Sequence, residues 1–73
     1  MKVTAENVFS VPANFFGISG SNEGYTLNYS VNGDDWAEWD EATPANQTLF
    51  VANCPKFMKY KLVGNNSEIE VKW

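Results

Sequence analysis

Large apolar residues occupy the odd positions from Tyr25 to Val31 (Tyr25, Leu27, Tyr29, Val31), and small polar residues, Thr26, Asn28 and Ser30, fill the even ones. A period of two sends successive side chains to opposite faces of a strand, whereas a helix would scatter them around its circumference. The segment therefore predicts a half-buried antiparallel strand. Asn32-Gly33 follows at once, the pair favoured by a type I′ hairpin turn because both central residues take positive φ. Asp34 and Asp35 extend the loop, and Trp36 to Glu41 returns as the partner strand. Trp36 and Trp39 lie an odd number of residues apart, so a regular strand points them to opposite faces. Trp36 is expected to cap the apolar side of the hairpin and Trp39 to face outward, unless a bulge resets the phase.

The C-terminal third repeats the scheme. Met58, Tyr60 and Leu62 alternate with Phe57, Lys59, Lys61 and Val63; after Gly64-Asn65-Asn66-Ser67, Ile69, Val71 and Trp73 alternate with Glu68, Glu70 and Lys72. This predicts a second hairpin with one apolar face and one lysine/glutamate face, where opposite charges directly across the strands add about 0.2–1 kcal/mol per pair. Thr48 to Ala52 is a further short strand, and Val3 to Val11 holds one or two strands, broken near Glu6-Asn7 in the latter case. Phe15 to Ile18 reads as either a short strand or a packed loop. No apolar set recurs at i, i+3, i+4 and i+7, so no significant helix is expected. Residues 1–73 are expected to form a single all-β domain, a small antiparallel β-sandwich or barrel of six to seven short strands.

Length makes this fold demanding. A chain of 73 residues buries only about 60% of the surface it exposes when unfolded. Cys54 is the only cysteine and histidine is absent, which removes an intrachain disulfide and a standard zinc site. Dense aromatic packing from three Trp, three Tyr and five Phe, or contact with a partner, is left to stabilise it. The net charge of −4 and a basic set made only of lysines, Lys2, Lys56, Lys59, Lys61 and Lys72, argue against binding nucleic acid. No signal peptide or membrane-length apolar run is present, so a chain made and kept in a cytoplasm is expected. In such a chain the Asn28, Asn46 and Asn65 glycosylation patterns are expected to stay unmodified.

Catalysis finds few candidates. The commonest general base is absent, Cys54 has no imidazole partner, and no glycine-rich phosphate loop exists. Asp34, Asp35, Glu38, Asp40 and Glu41 form an acidic window, read as a solvated hairpin because its spacing does not match a calcium loop. No enzyme activity, cofactor or metal is expected. Two surface readings remain. Trp39 can stack on sugar rings if it faces outward. The acidic window and the lysines at 56, 59 and 61 are either ordinary solubilising surface or opposite patches that meet between neighbouring copies.

The stretch Tyr25 to Trp36 resembles a hairpin common in β-sandwich domains, an alternating strand followed by Ser-x-Asn-Gly and then Trp, and also a shortened Asp-box, with Asn32 for its Asp and Asp35 for its Thr. Either form is a turn that carries no activity. With Trp39-Asp40-Glu41-Ala42-Thr43-Pro44-Ala45 and the closing Gly64-Asn65, residues 25–73 are similar in style to small β proteins of phages of gut Bacteroides, some of which decorate capsids. The resemblance implies a virion-associated structural protein, made in the host cytoplasm, that docks on a capsid protein or on copies of itself as a homo-oligomer or part of a larger assembly. Trp39, Phe57, Lys59 and Lys61 are the expected docking surface. The alternatives are a carbohydrate- or peptide-binding module using exposed Trp and Tyr, and a cytoplasmic location.

Overall fold

A computed structural model describes residues 1–20, 24–43, 48–64 and 68–73, with backbone alone for 40–43. Among the described residues seven strands follow in order: β1 (Lys2–Thr4), β2 (Phe15–Ser19), β3 (Tyr25–Ser30), β4 (Ala37–Thr43), β5 (Leu49–Ala52), β6 (Lys59–Gly64) and β7 (Glu68–Lys72). They form two antiparallel sheets, one of four strands in the order β1-β7-β2-β5 and one of three in the order β4-β3-β6. Their apolar faces meet in one core that includes Val3, Phe16, Ile18, Leu27, Val51, Tyr60, Leu62, Ile69 and Val71. The protein is a small all-β sandwich. At its centre Phe9, Phe16 and Tyr60 pack ring against ring, with centroids 4.9–6.1 Å apart, a spacing at which aromatic pairs gain beyond their buried area.

The hairpin predicted at Asn32-Gly33 forms, with β3 paired to β4, but its turn is of another kind. Gly33 takes φ 85° while Asn32 stays outside the left-handed region. The Asn32 Oδ1 instead accepts the backbone N–H of Asp34 (2.8 Å) and Asp35 (2.9 Å) and the hydroxyl of the buried Ser30 (3.0 Å). The loop is organised by a side chain mimicking backbone, as Asn commonly does in turns.

The second expected hairpin does not form. β6 pairs with β3 over six residues, while β7 lies between β1 and β2 in the other sheet. Both strands carry an apolar face, and placing them in opposite sheets buries Tyr60 and Leu62 against the same core as Ile69 and Val71. The expected lysine–glutamate ladder is lost with it. Lys2 takes over, with Nζ 3.6 Å from Glu68 Oε1, both well exposed. Of the turn expected at Gly64-Asn65-Asn66-Ser67, residues 65–67 lie outside the described residues.

Candidate functional site

Of the expected docking residues, Lys59 and Lys61 share the outer face of β6, while Trp39 and Phe57 are not brought to it. Register places Asn28 opposite both Glu38 and Lys61, so these three share the outer face of the three-stranded sheet. Trp39, one residue on, points the other way. It packs against the core and meets Tyr29 edge to face at 5.4 Å. The two tryptophans do face opposite ways, but in the reverse sense to that expected: Trp36 is the outer one, with Lys61 Nζ 4.5 Å from its ring centroid. The pairing Asn28↔Glu38 fixes this phase, and the register shift between Thr26 and Asn28 follows it along β4.

Phe57 was expected to extend the face of Lys59 and Lys61. It instead sits in the turn before β6, at φ 62°, where its N–H donates to the Val11 carbonyl (2.9 Å). The residue remains 64% exposed. Lys59 is exposed, and its aliphatic stem lies beside Gly33: a Cβ there would sit 3.3 Å from Lys59 Cδ. The fold thus places Glu38 of the acidic stretch and Lys61 of the basic one on one face, on either side of β3.

The bare aromatic surface lies on the other sheet. Along β2, Phe16 and Ile18 point into the core while Phe15, Gly17 and Ser19 point out; along β5, Val51 points in while Phe50 and Ala52 point out. Phe15 faces Ala52 and Gly17 faces Phe50 across the strand pair. Phe15 is 59% and Phe50 79% exposed. The Phe50 ring leans over the glycine, since a Cβ at Gly17 would sit 3.4 Å from Phe50 Cε1. Further across the same face, Lys72 stands opposite Gly17, and Glu70 lies between Ser19 and Lys2. The outer face is therefore ionic over β1 and β7 and aromatic over β2 and β5.

Sequence reasoning passed over both phenylalanines. They sit in unbroken apolar runs, Phe15-Phe16 and Leu49-Phe50-Val51, and in a half-buried strand a period of two must turn one member of each run outward.

Inside, the Tyr60 hydroxyl is buried beside the side chain of Cys54. Burial pushes its phenol well above the usual tyrosine range, and the neighbouring Cys54 adds to the effect. Cys54 is itself buried; its N–H donates to the Asn14 carbonyl (3.1 Å) and its carbonyl accepts from Asn14 Nδ2 (2.9 Å). This interlock holds the thiol away from solvent. Among the described residues no three His, Cys, Asp or Glu side chains gather as metal ligands. An open depression of about 260 Å³ is lined by Met1, Val71, Lys72 and Trp73, none of which is a common nucleophile or general base at neutral pH except a desolvated lysine. Compared with family models, curated proteins and solved structures, the chain matches none.

Proposed function

We propose that this chain is a non-enzymatic binding domain, a virion-associated auxiliary or decoration protein that docks on a capsid surface through the outer face of its four-stranded sheet. One observation carries the reading: Phe15 and Phe50 stand bare on one sheet face, diagonal to each other across the β2–β5 pair. Exposed aromatic residues grouped on a rigid element are typical interface anchors. Gly17, opposite Phe50, lets that ring lie low over the strand pair. The ionic half of the face, Lys2, Glu68, Glu70 and Lys72, supplies the polar rim that surrounds an apolar interface centre. The viral assignment rests on the resemblance of residues 25–73 and on a size that profits from a host surface. In this reading Phe15 and Phe50 replace Trp39 as anchors, and Phe57, Lys59 and Lys61 lie outside the main contact.

The test is mass spectrometry of purified particles from the source phage, followed by co-sedimentation of the purified domain with particles stripped of it. The wild-type chain is expected to pellet with particles, and Phe15→Ser to remain in the supernatant with an unchanged circular dichroism spectrum. Absence of the chain from particles, or undiminished pelleting of Phe15→Ser, would sink the reading.

A further inference from the structure

The two sheets present four edge strands: β1 and β5 in one, β4 and β6 in the other. An edge exposes unpaired N–H and C=O groups, and proteins blunt such edges with short strands, charge, proline, bulges or covering chain. Three of these edges carry such protection. β1 has only three residues, and its Lys2 pairs with Glu68. β4 carries Glu38 and a register shift. β6 carries Lys59 and Lys61, and the preceding chain covers it: Phe9 and Tyr60 exchange two backbone hydrogen bonds of 2.8 Å, and the Glu6 N–H donates to the Leu62 carbonyl at 2.8 Å.

β5 is short too, at four residues, but among the described residues it has none of the other protections. Leu49-Phe50-Val51-Ala52 contains no charge and no proline, keeps unbroken register with β2 over four pairs, and among the described residues pairs with β2 alone. Its outward neighbours Phe15 and Gly17 are uncharged too.

We infer that β5 is an assembly edge at which two copies of this chain pair antiparallel, β5 to β5, joining two four-stranded sheets into one of eight about a two-fold axis normal to the sheet. Electrostatics select a second copy as the occupant. A charged edge calls for a strand of opposite charge, because like charges directly opposite destabilise a strand pair, whereas the uncharged β5 is complementary to its own copy. β5 is the described edge where self-pairing brings no charge against its like. An isologous contact also needs a patch complementary to itself.

Strand geometry narrows the register. Opposed residues in one sheet share a face, so Phe50 and Ala52 must oppose even-numbered positions. Two registers satisfy this near the middle of the strand: Phe50 opposite Phe50, or Val51 opposite Val51 with Phe50 opposite Ala52. Both continue the core with Val51 and collect Phe15 and Phe50 of each copy into one aromatic band. The inference goes beyond particle docking and is tested without particles.

Sedimentation equilibrium of the full chain, from micromolar to millimolar concentration, is expected to give twice the chain mass at the upper end. Phe50→Lys, which charges the edge at an exposed position, is expected to weaken association by about tenfold or more, roughly the effect of 1.4 kcal/mol, with unchanged circular dichroism. Ala52→Lys, also exposed and on the same edge, serves as the second variant should Phe50→Lys misfold. Lys59→Ala, on the opposite sheet, should leave association intact. A wild-type monomer throughout the range, or a dimer that neither edge lysine weakens, would overturn the inference. A monomer whose β5 amides gain hydrogen-exchange protection only on particles would do so as well, pointing to a partner's strand instead. Phe15→Ser lies off the edge, so a variant that dimerises without docking separates failure of one reading from failure of the other.

Discussion

The outer faces of the two sheets treat their aromatic residues differently. On the three-stranded sheet Trp36 is half-buried, and the Lys61 ammonium lies 4.5 Å from its ring centroid. On the four-stranded sheet Phe15 and Phe50 stand uncovered, and the nearest cation in register, Lys72, lies across Gly17 from Phe50. A lysine stem covers apolar surface while its head stays wet, so the first face is finished as a solvent surface. The second lacks that finish where β2 meets β5. Aromatic content alone is therefore a poor guide to a contact surface; what distinguishes the two faces is whether the fold supplies a cover.

Phe15 and Phe16 give the sharpest contrast, being neighbours on opposite sides of one strand. Phe16→Ala, which removes a ring packed on Phe9 and Tyr60, is expected to cost about 3–5 kcal/mol in urea denaturation. Phe15→Ala should stay within about 0.5 kcal/mol of wild type. Equal losses would place both rings in the interior and end the distinction.

Tyr60 and Lys61 divide β6 in the same way. Tyr60→Phe removes a buried hydroxyl that, among the described residues, meets only the weakly hydrogen-bonding Cys54 thiol and is expected to raise stability by about 1 kcal/mol. The folded chain holds the Tyr60 proton more tightly than the unfolded chain, whose phenol releases it near pH 10.0. Stability from this group is thus complete below that pH and falls as pH rises above it. Urea midpoints of wild type should drop between pH 9 and pH 11 by more than those of Tyr60→Phe.

Lys61→Ala strips the cover from Trp36. It should cost about 0.5–1 kcal/mol, raise acrylamide quenching of tryptophan emission, and make the first face more like the second. The smallest stability effect is expected from the reverse graft. Gly17 lies outside the left-handed region, so Gly17→Lys can set a lysine stem beside the Phe50 ring, changing stability by less than about 1 kcal/mol while abolishing co-sedimentation with particles.

Much of the fold was legible because alternation and turn chemistry agree. Tyr25 to Ser30 with Asn32-Gly33 specifies a strand and its reversal locally. The strands β6 and β7 were equally legible, but their separation into different sheets was not. Partner choice depends on which apolar faces meet across the core, and no local pattern encodes that. Trp39 was misplaced for a related reason: the phase of β4 is set by its pairing with β3 across a loop whose length the sequence leaves open. Phe15 and Phe50 were hidden because contiguous apolar residues look interior until a strand's pleat separates them.

The order β1-β7-β2-β5 has a consequence for synthesis. The strand made after both of its neighbours is the one that fits between them, so a ribosome has delivered β1 and β2 long before anything can bridge the gap. Until residues 68–72 emerge, Val3 and Ile18 lack the Ile69 and Val71 strand that completes their layer. Closure of the sandwich therefore waits for residues 68–72, and deleting β7 would split a sheet down its middle instead of trimming its margin.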